Sequence, residues 1–332
     1  MENLRTWMTE SWTVDPWENL ALEECLLRRI GPREVGLFLW QNRHTVVIGR
    51  HQNPWKECRV DVLEQEGGRL ARRLSGGGAV YHDLGNLNFT FVLDKAVYNF
   101  GRQLGVVARA ARSLGIPAEV SGRNDLLVEG KKFSGNAYYR GKGADLHHGT
   151  VLVDVDLERL GRYLQVSPGK LEGKGVTSVR SRVVNLRELD PRVGVSQVRD
   201  ALRGAFLEEY GGAGRSFLPE EVVPREELLE VRERYAGHPW RFGHTPQFSA
   251  AFERRFSWGQ VELQFDVAEG LVRGCALFSD AMDADLLAQV PGMLEGRAFN
   301  AGTLANALGE AFAPGAPEEV RDLEAWLRHA LA

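Results

Sequence analysis

The residues from Arg72 to Asp83, Arg-Arg-Leu-Ser-Gly-Gly-Gly-Ala-Val-Tyr-His-Asp, set a glycine turn between a basic pair and a strand-like segment. Such a turn suits an anion. The backbone N–H groups of Gly76, Gly77 and Gly78 can approach a phosphate with no side chain in the way, while Arg72 or Arg73 supplies fixed positive charge. A bare glycine triplet is more often a flexible turn, so its flanks and a second stretch must decide. That stretch runs Ser121-Gly122-Arg123-Asn124-Asp125-Leu126-Leu127-Val128 and returns, after Glu129-Gly130, as Lys131-Lys132-Phe133-Ser134-Gly135-Asn136-Ala137. It reads as a β-hairpin whose returning strand presents a lysine just before small residues. A Lys-Lys pair at a turn is by itself usually a solvated tip.

Taken together, the glycine run, Gly122-Arg123-Asn124-Asp125-Leu126, Lys132-Phe133-Ser134-Gly135-Asn136-Ala137 and His147-His148-Gly149-Thr150 stand in the order and spacing of the lipoate-protein ligases. Val46 to Arg50, Gln52 to Glu57 and Lys174 to Val183 agree with the same pattern, densely over residues 1 to 245. With Phe256-Ser257-Trp258-Gly259 in the tail, the chain resembles the bacterial two-domain members of the family.

The resemblance implies an ATP- and Mg²⁺-dependent enzyme. It would convert lipoate or octanoate to the acyl-AMP with loss of pyrophosphate, then pass the acyl group to a lysine of an acceptor domain. The acceptors would be lipoyl domains of 2-oxoacid dehydrogenase acyltransferase subunits and the glycine-cleavage H protein. Lys132 is implied as the catalytic lysine between the acyl carboxylate and the α-phosphate. Lys131 is the competing assignment, and strand alternation sends it to the other face. Arg73, Gly77, Gly78, Ala79, Val80, Tyr81, Asn124, Asp125, Lys132 and Thr150 would bind ATP or the adenylate, with Arg72 assisting. Gly78, Lys132, His148 and Gly149 would meet lipoate. Asp125 is also a candidate Mg²⁺ ligand, with a plain turn residue as its alternative. His148 is open between a structural hydrogen bond and proton transfer, and His147 leans to the structural role. Lys170 to Arg182 reads as a flap over the adenylate, or else as a solvated basic loop.

Competing chemistry is constrained by what else the chain carries. An octanoyl or lipoyl transferase would pass the chain through a cysteine thioester, and no cysteine lies between Cys58 and Cys275, leaving Cys58 as the weak candidate. A non-catalytic lipoate-binding module would be expected to lose the lysine or glycine motif, and both are intact. Adjacent His82 and Asp83 with Ser75 nearby do not make a hydrolase triad, because neighbours on a strand point to opposite faces and no Gly-x-Ser-x-Gly elbow is present. A formal charge of -4 argues against a nucleic-acid partner. Three separated cysteines fit reduced thiols. With neither a signal pattern nor a membrane-length apolar run, the expectation is a cytoplasmic protein with no membrane partner.

These residues need a scaffold. Asp15 and Pro16 open a helix carrying Leu20, Leu22, Leu26 and Leu27. Strands are expected at Val35 to Trp40, Thr45 to Ile48, Arg69 to Arg73, Ala79 to His82, Asn88 to Val92, Leu126 to Val128 and Gly149 to Val153, the last with His147 to Thr150 at its start. Helices are expected at Tyr98 to Leu114 and Ser196 to Tyr210. Strands grouped among helices, without a regular βαβ alternation, predict an α+β fold: a large mixed or antiparallel sheet of the biotin/lipoate ligase type with a small α+β C-terminal domain. The boundaries expected are 1-243 for the catalytic domain, 244-250 for a linker, and 251-332 for the accessory domain. In the last, two strands around Ala268-Glu269-Gly270 precede three helices.

Overall fold

The computed structural model describes residues 4–121, 124–165, 182–211, 215–243, 250–312 and 315–330. The chain forms two compact units. The first comprises residues 1–48, 54–73 and 79–241, and the second gathers 49–53, 74–78 and 242–332.

The strands of the first unit are β1 Arg5–Glu10, β2 Glu34–Trp40, β3 Thr45–Ile48, β4 Arg69–Arg72, β5 Val80–His82, β6 Asn86–Asp94, β7 Glu119–Ser121, β8 Asp125–Val128, β9 Lys131–Arg140, β10 Ala144–Leu152 and β11 Arg215–Ser216. Eight of them make one mixed sheet in the order β11-β1-β2-β6-β10-β9-β8-β7, and β4-β3-β5 make a second, smaller one. Pairing in the large sheet is parallel at β11-β1-β2 and antiparallel from β2 through β7.

Alternation sorts the large sheet into two faces. On one, Val35, Leu37, Leu39, Phe89 and Phe91 form a core with Leu104, Val107, Val198, Leu202 and Phe206 from the helices Phe100–Ser113 and Val195–Tyr210. Each buried side chain of this size contributes about 1.5–3 kcal/mol by leaving water. The other face carries Thr90 and His148, which meet Glu23 of the helix Pro16–Leu27. Asp15 caps that helix by accepting from the N–H groups of Trp17 and Glu18, as its place before Pro16 predicts.

His147, His148, Gly149 and Thr150 do not open a strand; they lie inside β10, which starts at Ala144. Interior placement explains the fate of the two histidines. His147 pairs with Phe91 across the ladder and packs on Phe89, Phe91 and Phe100, whereas His148 pairs with Thr90 on the opposite face.

In the second unit β12 Ala250–Arg255, β13 Gln260–Ala268 and β14 Leu271–Ser279 form an antiparallel sheet packed on helices Ala284–Leu294, Ala301–Ala311 and Glu318–Ala330. Glu269 and Gly270, both at positive φ, make its tight turn. The expected linker falls on 244–249, outside the described residues, apart from Ala250, which opens β12. The expected flap from Lys170 also lies outside them until Arg182.

Candidate active site

The β8–β9 hairpin sets the site. Val128 pairs with Lys131, and the two residues between, Glu129 and Gly130, have φ of 51° and 75°, the left-handed pair that a two-residue turn requires. The ladder then slips: Leu127 faces Lys132 while Leu126 faces Ser134, so Phe133 is an extra residue in β9. In a regular strand Lys132 and Gly135 would point to opposite faces. The bulge brings them to the same one, and a Cβ on Gly135 would sit 2.8 Å from Lys132 Cε and 2.9 Å from its Nζ. Gly135 thus leaves the space across which the lysine lies.

Lys132 Nζ ends 2.7 Å from Asp125 Oδ1. Both side chains are about a third exposed, so the pair orients the ammonium more than it stabilises the fold. The backbone of Lys132 is held on its other edge, its N–H donating to the Arg182 carbonyl at 2.8 Å and its carbonyl accepting from Val184 at 3.0 Å. Lys131 is exposed at the hairpin tip.

Beside the lysine, Thr150 Oγ1 accepts from the Gly135 N–H at 3.3 Å. Asn124 and Asn136 clamp each other, each side-chain amide donating to the other's carbonyl at 2.7 and 3.0 Å. Asn124 therefore spends its side-chain nitrogen inside the protein. Asn136 Oδ1 lies 2.9 Å from His147 Nε2, and burial keeps His147 neutral, with a pKa well below the usual value. His147 is a structural strut. Gly149 is small because a Cβ there would lie 2.5 Å from the Phe89 ring and 2.6 Å from Asn136 Oδ1.

The basic pair divides its work. Arg72 donates from Nε to the Trp240 carbonyl at 2.9 Å and from Nη2 to the Arg241 carbonyl at 2.7 Å, tying β4 to the helix His238–Phe242. Arg73 is buried, with Nη1 donating to the Val47 carbonyl at 3.2 Å. Desolvation pulls its pKa down to about 10, against which the charge of Glu23 acts, so it remains a cation at neutral pH. Ala79 and Val80 are half-buried, whereas the Tyr81 ring packs on Tyr163 and His44. Tyr81 is buried and pairs with Val46 of β3.

The glycine run lies in the second unit. Gly77 donates its N–H to the Ala281 carbonyl at 3.0 Å, and a Cβ on Gly76 would fall 2.0 Å from that same oxygen. In this arrangement the Gly77 amide is taken by the second unit's own backbone, and Gly76 serves close chain approach. Gly78 is half-buried with open space at its Cβ position.

Asp125, the candidate magnesium ligand, has its carboxylate against the Lys132 ammonium, and among the described residues no three His, Cys, Asp or Glu side chains gather to hold a metal. Two candidates escaped the sequence reading. Gly135 stood in a quoted motif without a role, and Glu23 signalled itself only as a charge within the leucine stripe of the first helix. No described helix is long and apolar enough to cross a membrane.

Residues 15–207 match the lipoyl protein ligase A/B catalytic domain, and residues 245–327 match the bacterial lipoate protein ligase C-terminus. Among solved structures, the chain is 26% identical to LipL1 of P. falciparum in complex with lipoate, covering 97% of this chain and 99% of that one with a TM-score of 0.85. An archaeal bi-partite lipoate protein ligase from Thermoplasma acidophilum, studied with its E2 lipoyl domain, is 29% identical over 75% of this chain and 100% of its own, at a TM-score of 0.65. A lipoate-protein ligase A bound with ATP is 29% identical over 73% of this chain and 99% of its own, at 0.62. With one family model spanning more than half its length and a second covering its tail, the chain belongs to the lipoate-protein ligases.

Proposed function

We propose that this ligase activates lipoate, or octanoate, as the acyl-AMP and transfers the acyl group to a lysine of an acceptor domain. A carboxylate oxygen attacks the α-phosphorus of ATP, and the bond to pyrophosphate breaks. The amine of the acceptor lysine then attacks the acyl carbonyl, loses a proton, and expels AMP. Lys132 is the residue assigned to offset negative charge in both steps. A well-placed donor of this kind is worth about 2.7–4 kcal/mol of transition-state stabilisation.

The observation that carries the reading is the placement of the Lys132 ammonium: turned by the β9 bulge, laid across Gly135 and held at Asp125. Arg73, Gly77, Gly78, Ala79, Val80, Tyr81, Asn124, Asp125 and Thr150 are proposed for the nucleotide or adenylate, and Gly78, His148 and Gly149 for the acyl group. Gly77 joins that set only when its N–H is released from Ala281. Mg²⁺ is proposed to travel with the ATP phosphates. The division into residues 1-243, 244-250 and 251-332 is retained as a proposal.

The acceptors proposed are lipoyl domains of 2-oxoacid dehydrogenase acyltransferase subunits and the glycine-cleavage H protein. The E2 lipoyl domain studied with the archaeal ligase supports the first. Three unpaired thiols fit a reducing, cytoplasmic setting. A cysteine-thioester route is disfavoured because Cys58 is buried and desolvation pushes its thiol up to about 12, far from the thiolate that attack requires. Incubating an acceptor lipoyl domain with lipoate, ATP and Mg²⁺ tests the function by mass spectrometry. A lipoyl mass on one lysine, dependent on ATP and matched by pyrophosphate release, is expected; transfer that proceeds without ATP would sink it.

A further inference from the structure

The face of the large sheet opposite its helical core holds a chain of buried polar side chains that assigns one proton. Asn19, on the helix Pro16–Leu27, donates from Nδ2 to the Gln41 carbonyl at 2.8 Å and to Asn42 Oδ1 at 2.9 Å. A backbone acceptor fixes which atom of Asn19 is nitrogen, and this in turn fixes Asn42. The Nδ2 of Asn42 therefore faces Nδ1 of His82 at 3.2 Å. Asn88, whose Oδ1 receives the Asn86 amide at 2.9 Å, turns its own Nδ2 to the same ring atom at 3.5 Å. A ring nitrogen facing two amide donors is an acceptor, so a neutral His82 carries its proton on Nε2. Neutral it is: burial first, then the charges of Arg73 and His148, push its pKa down to about 3.

That Nε2–H is fully buried and meets no acceptor among the described residues. A buried donor without a partner is rare enough to require an explanation. The surroundings point to a ligand. On β5 the Tyr81 ring turns to Tyr163, so Val80 and His82 share the opposite face, and Val80 belongs to the set proposed to line the adenylate. The Trp40 indole stands edge-on to His82 at 6.1 Å and donates to Thr90 at 3.0 Å, whose hydroxyl passes to Glu23 Oε1, the atom that also meets His148. Glu23 Oε2 and Asn86 Oδ1 are further buried polar atoms of this network without a partner among the described residues.

We propose that His82 is a substrate-contacting residue, its Nε2–H donating to an anionic oxygen, of the acyl carboxylate or of the α-phosphate, that Arg73 also binds. The inference rests on the adenylation reading. It gives the histidine that closes the glycine motif a place in the reaction as a neutral donor, not as an acid or base.

Two variants separate this from a structural role. In His82→Asn the side-chain oxygen takes the place of Nδ1 and still accepts from Asn42 and Asn88, but no donor reaches the position of Nε2. In His82→Gln an N–H is restored at that distance. Pyrophosphate release with lipoate and ATP should fall about tenfold to a hundredfold in kcat/KM for His82→Asn and recover largely in His82→Gln, as for a lost hydrogen bond to a charged group. Weaker lipoate binding by titration calorimetry without nucleotide assigns the acyl carboxylate; unchanged lipoate binding with a raised KM for ATP assigns the α-phosphate. Melting temperatures are read alongside. In the wild type, the imidazole N–H proton should move downfield in the NMR spectrum when a non-hydrolysable acyl adenylate is added, a measurement that needs no variant. A folded His82→Asn with wild-type kcat/KM for both substrates, or an N–H resonance indifferent to the adenylate, overturns the proposal. A wild type that releases no pyrophosphate instead overturns the adenylation reading on which it rests.

Discussion

Lys132 and Arg73 are both cations assigned to the adenylate, yet their environments give their substitutions different signatures. Lys132 is part-exposed and its ion pair with Asp125 is screened, so Lys132→Ala should lower adenylation by about a hundredfold to a thousandfold while leaving the melting temperature nearly unchanged. Lys131→Ala, at the exposed tip, should be mild, and a dead Lys131→Ala beside an active Lys132→Ala would reverse the hairpin assignment. Arg73 is buried beside Glu23, so Arg73→Ala removes a counter-charge as well as the proposed ATP contact. Loss of melting temperature together with ATP affinity is expected there, by scanning calorimetry and nucleotide titration. Two buried histidines add a pH signature. His82 holds a pKa of about 3 and His147 is also depressed, while an unfolded histidine titrates near 6.5, so between these values the unfolded chain binds protons that the folded one refuses. Stability is therefore full above about pH 6.5 and falls on acidification, by roughly 1.4 kcal/mol per pH unit for each histidine. Urea unfolding at pH 7.5 and 5.5 reads this, and His147→Gln should remove about half of the histidine contribution; an unaltered pH slope in that variant would contradict the assignment.

At the scale of elements, the hairpin works through a device that alternation conceals. Gly135→Ala would place a methyl 2.8 Å from Lys132 Cε, the far end of a flexible side chain, so the lysine should swing aside at little cost to the fold. More than tenfold slower adenylation at a nearly unchanged melting temperature is expected. Gly149→Ala would meet the Phe89 ring at 2.5 Å and the Gly135 carbonyl at 2.9 Å, neither of which yields easily, so it should destabilise instead. Calorimetry on the two variants should therefore diverge, and equal melting temperatures would contradict the packing argument. The turn itself was legible in the sequence, because Glu129-Gly130 between apolar runs has a local cause. The extra residue Phe133 was not, since a bulge is set by pairing with a partner strand that no local pattern records. The same division holds elsewhere. The cap at Asp15 and the strands through Trp40 and Ile48 were readable. The interior position of His147 and His148 depended on Ala144-Asp145-Leu146 pairing with β6 and β9, a non-local fact. The helix Arg225–Ala236 was passed over although Leu228, Val231 and Tyr235 stand at helical spacing behind Pro224, a signal that was present and unused.

At the scale of the molecule, residues 251-332 read as an accessory domain and carry none of the adenylation motifs. The glycine run crosses that boundary, since residues 74–78 belong with the C-terminal strands and helices, where Gly77 donates to Ala281 and Gly76 has no room for a side chain. A motif can thus be read in the first part of a chain and be held by the last. The core under the helical face of the large sheet, by contrast, is drawn from residues 35–210, and the buried side chains of the helices Pro16–Leu27 and Arg225–Ala236 also precede Gly243. A chain ending at Gly243 should therefore fold around the large sheet while losing the backbone that holds the glycine run, so acyl-AMP formation should suffer more than transfer from preformed lipoyl-AMP. Gly76→Ala offers the same test without truncation. Its methyl would fall 2.0 Å from the Ala281 carbonyl and 2.8 Å from that of Met282, backbone atoms that cannot rotate away, so the run must shift. An increased KM for ATP with lipoate binding intact is expected for this variant. If instead both variants adenylate normally and fail only to acylate the acceptor, the C-terminal unit acts in docking and the glycine run is held by other means.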